Sequence, residues 1–448
     1  MFKKIKNRYS SISQLRKNVI SGSVMSLSNI FIMIISYPLY LHFIGVEFYG
    51  LWSTLTVVIT FGELGYLGIA QSITKFVAEE WGKENKKAIS GYITSSFIII
   101  LVPTLTILFI LYFFRDNIAV FLNLENQYLD IAEKLIPLIG LLAAIMFSSS
   151  IFRGVVMGIG KVDLANYIFA SSNILKVVFV ILLMILGFNI WALIFGSFFQ
   201  FILLLIIYPS YLRISYKIKV FSTLEIDRAK FKNLLSFGSN IVGSNILNMA
   251  LLPFLKIFIT KYIGLAEVTY FDISWKGTNF IRNFIERGLF ALMPRASELS
   301  TKLIEGSSKR IKGIHDKGVK FAAFIGVPVF TIGFLFSDQI IRLWLQKQYI
   351  YEVAVLFKYF CAAIGISILF IPAYYILMGI GKVRYCFFHN VIKSFLLLFV
   401  IGFLYYFNIY NLENIVIAFC ASTVIAHLYI GLIYMKFFRN EYDFIEVF

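Results

Sequence analysis

The sequence predicts an all-α polytopic membrane protein of about 12 transmembrane helices in two six-helix lobes. Three observations predict it: a composition too apolar for water, charge sorted between alternate connections, and a six-residue segment that occurs twice. Of the 448 residues, 59% are hydrophobic and 15% charged. A soluble domain carries roughly 25% charged residues and under half apolar ones. Twelve spans of about 20 residues each would absorb the surplus. Soluble enzymes, secreted scaffolds and nucleic-acid binders are excluded on this ground. An open sheet would leave backbone groups unpaired in lipid, and a barrel would alternate with period two where these runs are continuously apolar.

Taken in order, the apolar runs place spans near 19–44, 49–74, 90–114, 134–158, 163–187, 190–212, 235–262, 267–293, 315–337, 354–380, 384–407 and 412–437. The first follows a basic arm but is too long for a signal-peptide apolar region, and it lacks a small-residue cleavage pattern, so it reads as retained. Cys361, Cys386 and Cys420 lie inside apolar runs without paired spacing. They read as small buried hydrophobes, with no disulfide framework and no metal site.

Charge sets the orientation. The N-terminal arm carries Lys3, Lys4, Lys6, Arg8, Arg16 and Lys17 and no acid, and the even-numbered connections are also basic, from Lys75–Lys87 to Lys382 and Arg384. The odd-numbered connections are short and neutral or acidic (Glu47; Asp116 to Glu133; Glu267; Glu413), apart from a mixed segment around Arg342 and Lys347. The positive-inside rule then puts both termini in the cytoplasm. Topology and attraction to anionic inner-leaflet lipids account for the net charge of +17, without nucleic acid.

Met-Gly-Ile-Gly-Lys-Val occurs at 157–162 and again at 378–383. Colinear matches accompany it: Val102-Pro103 with Val327-Pro328, Asp116 with Asp338, Gln127-Tyr128 with Gln348-Tyr349, and Glu63 with Glu286. Each half has an even number of spans, so both run in the same sense, related by a pseudo-twofold axis along the membrane normal with a cleft between lobes. The expected parts are a basic arm at 1–18, a first lobe at 19–212, a basic linker at 213–234, a second lobe at 235–438 and a cytoplasmic tail at 439–448. Two equivalent bundles around a cleft favour a transporter over a membrane enzyme.

Span eight is the least compatible with lipid. Asp272, Lys276, Asn279, Asn283, Glu286 and Arg287 fall within about 60° of one line at 100° per residue. Charges at a helix centre cost roughly 2.5–3.5 kcal/mol each in lipid. The stripe therefore lines a watery cavity, or else pairs internally as Asp272–Lys276 and Arg282–Glu286 while packed on another helix. Glu63 in span two, among glycines, is a carboxylate able to carry a coupling proton, as is its counterpart Glu286. Lys176 and Lys393 sit near mid-span, too deep to snorkel comfortably, and read as cleft-facing. Snorkelling suits Lys256 and Arg153 at least as well. The stripe Gly22, Ser26, Asn29 and Ser36 reads as a packing seam, and His389 and His427 as satisfied core groups.

The substrate-binding candidates are thus Lys276, Arg282, Arg287, Lys176 and Lys393, and the coupling candidates Glu63, Glu286 and Asp272. Cations outnumber acids, which suits an anionic cargo, phosphate above all, and disfavours a cationic drug. No Walker A motif is present, so ATP is not the energy source within this chain, and no cofactor is expected.

At this point the chain resembles the Wzx-type polysaccharide-flippase branch of the multidrug/oligosaccharidyl-lipid/polysaccharide superfamily. The resemblance rests on Pro38-Leu-Tyr-Leu-His-Phe-Ile-Gly45-Val-Glu-Phe-Tyr-Gly50-Leu-Trp52, on Phe61-Gly-Glu63-Leu-Gly65-Tyr-Leu-Gly68 leading to Thr74-Lys75-Phe-Val-Ala-Glu79, and on Gly158-Ile-Gly160. That branch usually has Asp where this chain has Glu63, and Arg where it has Lys75. The resemblance implies a flippase of the bacterial inner membrane that moves an undecaprenyl-pyrophosphate-linked oligosaccharide outward by alternating access. It implies protons or sodium as coupling ion, and a polymerase and other glycan-assembly proteins as partners. A MATE-like multidrug exporter and a membrane glycan polymerase or ligase are the alternatives. The first would need an acid-dominated cavity, the second a large outer loop that this sequence lacks.

Overall fold

The computed structural model describes residues 13–219, 228–301 and 307–438. Among these the chain is helical throughout, with no strand. It divides into two compact units, Met1–Leu265 and Ala266–Phe448.

The first unit contains α1 (Gln14–Leu55), α2 (Val57–Gly82), α3 (Lys86–Phe113), α4 (Arg115–Phe121), α5 (Asn126–Gly158), α6 (Val162–Ile185), α7 (Trp191–Tyr216) and α8 (Arg228–Tyr262). α1 is long because two helices abut across Gly45, whose φ of 79° breaks the helical path. Only glycine adopts that conformation without steric cost, and the expected end of span one falls there. Helices α2, α3, α5 and α7 close on a core that includes Ile73, Ile93, Ile151, Val155, Leu204 and Leu212. A second cluster joins the end of α1 to α4 and α5 through Leu51, Leu55, Leu122 and Leu135.

The second unit contains α9 (Leu265–Phe290), α10 (Leu292–Thr301), α11 (Ser307–Phe321), α12 (Val327–Leu335), α13 (Ser337–Leu345), α14 (Tyr351–Ser367), α15 (Ile371–Gly379), α16 (Val383–Tyr406) and α17 (Leu412–Phe437). A π-turn at Ala322–Gly326 separates α11 from α12, and a 3-10 turn at Ile368–Phe370 separates α14 from α15. Pro328 and Pro372 follow these turns. Proline offers no N–H to the preceding turn, so the hydrogen-bond register shifts there. Spans nine and ten are therefore each built from two abutting helices.

Every expected span falls on a described helix or an abutting pair. Nine helical stretches are long and apolar enough to cross a membrane among the described residues. α2 beyond Gly62, α8 and α9 fall outside that set, α9 because it carries the charges noted above. Large apolar side chains lie open on the outside of the helices, as with Phe324 at 85%, Phe395 at 66% and Leu182 at 53% exposure. In water such a surface would be a liability, whereas acyl chains solvate it.

The packing boundary and the repeat boundary do not coincide. α8, expected as the opening span of the second lobe, packs with the first unit against α2 and the end of α1. Thr54 and Thr260 share a hydroxyl hydrogen bond of 2.6 Å, and Ser72 Oγ donates to the Leu234 carbonyl at 3.1 Å. Lys256 Nζ donates to Ser53 Oγ at 3.0 Å, so this lysine is held within the first unit.

The repeated hexapeptide builds the same object in each unit. Gly160 and Gly381 have φ of 82° and 80°. In both places the following lysine N–H caps the helix, Lys161 to the Val156 carbonyl at 3.1 Å and Lys382 to the Leu377 carbonyl at 2.8 Å. This is a Schellman-type close that lets the next helix start within a few residues. The other glycine of each hexapeptide permits a close approach. A Cβ on Gly158 would meet the Thr74 carbonyl at 2.8 Å, and one on Gly379 would collide with the Met293 carbonyl.

Candidate functional site

α9 is anchored by its aromatic face. Trp275 lies edge-on to Phe360 at 5.4 Å and to Phe419 at 5.1 Å, and Ser274 Oγ donates to the Val353 carbonyl at 2.9 Å. This packing turns the charged stripe in a fixed direction. Both expected i,i+4 pairs form. Lys276 Nζ lies 2.8 Å from Asp272 Oδ2, and Arg282 Nε donates to Glu286 Oε1 at 2.6 Å.

The two pairs differ in burial. Asp272 is fully buried, with Lys276 as its cap toward the outside. Of the two readings open from sequence, the burial of Asp272 is that of the internal pair packed on another helix. Arg282 and Glu286 keep partial exposure, at 19% and 17% of the side chain, and Arg287 is exposed.

Behind the Arg282–Glu286 pair lies a polar interior made by α15, α16 and α17. Lys393 is 7% exposed, with Nζ 4.8 Å from the Phe419 ring centroid. Arg282 and Glu286 are the charges that act on it. A face of aromatic π-density partly replaces water around an ammonium group. One helical turn away, His389 contacts Asn390 and His427, and all three are buried. The two imidazoles are the satisfied core groups expected from sequence; that they meet each other was not visible there.

The remaining candidates do not join this cluster. Lys176 is half-buried on α6 of the first unit. The side chain of Glu63, within 63–67 of α2, lies outside the described residues.

One polar cluster of the first unit escaped the sequence reading. Arg153 on α5 points inward: its guanidinium sits 4.4 Å from the Phe169 ring centroid, and Nη2 donates to Asn166 Oδ1 at 3.3 Å. Asn166 Nδ2 in turn donates to Ser21 Oγ at 3.2 Å, and Asn173 Nδ2 to Asn29 Oδ1 at 3.0 Å. The polar side of α1 is thus a seam against α6, as expected, with Arg153 built into it rather than reaching for the membrane surface. Asparagines at matching heights on spans one and five were the available signal.

The sequence pattern of the polysaccharide biosynthesis protein family matches residues 42–354, well over half of the chain. The chain belongs to that family. No curated protein sequence matches it. Among solved structures, the inward-facing conformation of a multidrug resistance MATE family transporter of the MOP superfamily superposes with a TM-score of 0.72 at 15% identity, covering 93% of this chain and 95% of that one. The lipid II flippase MurJ in an inward closed conformation gives 0.66 at 14% identity, covering 93% and 86%. A mutant of the Vibrio cholerae MATE transporter VcmN gives 0.65 at 14% identity, covering 95% and 97%. At these identities the likeness speaks to the fold, and it matches the two-lobe helical membrane architecture expected from sequence. This member of the polysaccharide biosynthesis family is a multi-pass membrane protein, and the three solved proteins named here that share its fold are two transporters and a flippase.

Proposed function

We propose that this chain is a flippase that moves an undecaprenyl-pyrophosphate-linked oligosaccharide across the bacterial inner membrane for surface polysaccharide biosynthesis, by ion-coupled alternating access. The observation that carries the reading is the cation surplus on α9 and its neighbour Lys393 in a polysaccharide-family chain. Arg282, Lys393, Lys276 and Arg287 stand against two carboxylates, Glu286 and Asp272, each already engaged by a neighbour.

A diphosphate brings the missing negative charge, and charge-assisted hydrogen bonds to guanidinium and ammonium groups are the strong kind. In this reading Lys276, Arg282 and Arg287 compensate the diphosphate, with Lys393 and Lys176 as further cationic partners. Glu63 and Glu286 are the coupling carboxylates, and Asp272 holds Lys276 in position. Protons or sodium serve as the coupling ion, anionic inner-leaflet lipids contact the basic connections, and a polymerase receives the product. The lipid tail stays in the bilayer throughout.

The likeness to MATE transporters keeps a multidrug exporter as the second reading. The cation surplus opposes it, since a cationic drug would be repelled.

The test replaces Lys276, Arg282 and Arg287 together by glutamine. Translocation of an isoprenyl-diphosphate oligosaccharide into the outer leaflet should fall at least tenfold at normal protein levels in the membrane. Undiminished translocation at those levels overturns the assignment.

A further inference from the structure

α11 is held in place by one face. Ile311 packs in a core with Ala296, Ile376 and Tyr434, and the His315 ring stacks on that of Tyr434 at 4.0 Å. A Cβ on Gly318 would meet Leu292 at 2.7 Å and Pro372 at 3.1 Å, so the helix lies hard against α10 and α15. With that face fixed, the outward one follows from the helical period. Arg310, Gly313, Lys317, Lys320 and Phe321 fall within about 100° of arc, and all five are exposed.

This stripe changes character along its length. Its first part sets Arg310 and Lys317 on either side of Gly313, where an added Cβ would meet nothing within 4 Å. Its last part is apolar: Phe321 is exposed, and one turn further on so are Phe324, at 85%, and Ile325. Depth gives the change a meaning. The apolar stretch ends at Leu335, and a hydrocarbon core of about 30 Å takes about 20 residues at 1.5 Å each. Counting back reaches the neighbourhood of Asp316 and Lys317. Lys317 and Lys320 therefore stand where headgroups give way to acyl chains, with Arg310 on the water side and Phe324 in hydrocarbon.

The three cations are not spent on the protein. Other exposed basic side chains pair along their own helix, Lys75 with Glu79, Lys83 with Glu80 and Arg295 with Glu298. Among the described residues no carboxylate pairs with Arg310, Lys317 or Lys320. The acid of α11 itself, Asp316, lies 3.2 Å from His315 Nδ1. A soluble acidic partner would meet the cations and leave Phe324 bare. A zwitterionic lipid would cover Phe324 but bring a cation of its own toward the basic residues. An amphiphile with a net negative head satisfies both parts of the stripe.

We infer that the outward face of α11 is a binding site for one anionic phospholipid. Its phosphate lies between Lys317 and Lys320, its headgroup extends over Gly313 toward Arg310, and an acyl chain runs along Phe321 and Phe324. Charge-assisted hydrogen bonds hold the head, and burial of the two rings holds the tail. The site narrows the lipid contact of the proposed function to one place on one helix. No transport is measured in its test, so its failure would leave the flippase reading untouched.

The test uses the full chain in phosphatidylcholine bilayers that contain phosphatidylglycerol with a diazirine on the acyl chain close to the glycerol. Labelled residues are mapped by peptide mass spectrometry. Labelling should concentrate on 321–325 and fall at least tenfold when Arg310, Lys317 and Lys320 are together replaced by glutamine. Gly313→Asp, which sets an acid between Arg310 and Lys317 in open space, should lower it in the same direction. Removing three charges from another connection, by Lys83→Gln, Lys86→Gln and Lys87→Gln, should leave it within twofold.

An equal fall in both triple variants would reduce the site to general attraction by a basic surface and overturn it. So would equal labelling of 321–325 by phosphatidylcholine carrying the same diazirine, which would mean plain hydrocarbon contact. Loss of labelling in excess glycerophosphoglycerol, the soluble headgroup, would show an anion site with no use for the acyl chain, and would overturn it too. The last two comparisons use the natural chain alone, so they stand whether or not any variant folds.

Discussion

Asp272 shows what one side chain demands of its neighbours. A carboxylate with no exposure cannot rely on water, and removing the partner of a buried charge costs more than the pair contributed. Lys276 is 40% exposed on its side chain, so solvent makes up part of the loss. Lys276→Met should destabilise the protein by about 1–3 kcal/mol, and Lys276→Met with Asp272→Leu should recover most of that. Thermal unfolding in detergent measures both. A single variant as stable as the natural chain would mean that Asp272 is held by its other contacts alone.

Asp338 outside the membrane makes the opposite case. Arg342 Nε donates to one oxygen at 2.7 Å and the Tyr349 hydroxyl to the other, and the guanidinium lies 3.9 Å from the Tyr349 ring centroid. The Arg342 hydrogen bond first, then that of Tyr349, holds the carboxyl below its ordinary value of 3.8. A depressed acid stabilises the folded form above its unfolded value and loses that contribution as pH falls through the folded one. Amide protection in 337–345, corrected for intrinsic exchange rates, should therefore persist from neutral pH down past the usual aspartate range. In Asp338→Asn it should be low at every pH. Equal protection in the two chains would show that this clasp does not order α13.

At the scale of helices, the repeat is the feature that sequence and structure share most fully. Gly160 and Gly381 occupy left-handed turns, where an added Cβ costs roughly 1–2 kcal/mol. Gly379 faces a backbone carbonyl that cannot step aside. Gly381→Ala should lower stability by that amount, and Gly379→Val by more, since α10 must move away from α15. Unfolding midpoints of the two variants give the order; a Gly379→Val chain more stable than Gly381→Ala would contradict the close approach. Identity of the hexapeptides pointed to a repeat, and the common turn they build follows from the position of their glycines. The two expected ion pairs of α9 were legible for the same reason, being set by helical spacing within one segment.

Across the whole molecule, what stayed hidden is what depends on partner choice between distant segments. His389 and His427 come from different helices, and nothing in either helix alone says that the rings meet. Arg153 could be read as reaching for the membrane surface because its span gives depth but not azimuth. α8 carries an apolar face that any apolar surface could cover, so its packing on α2 had no signature in the chain. Composition and charge sorting set the expected number and sense of the spans; they were silent on which spans touch.

The twin glycine turns bear on movement. Helices α5 and α6 are joined by Ile159, Gly160 and Lys161, and α15 and α16 by Ile380, Gly381 and Lys382, each link tied back by its own amide hydrogen bonds. Such a joint is short and bonded to the helix that precedes it. In the transport cycle proposed above, each couple would travel as one lever, welded at its end.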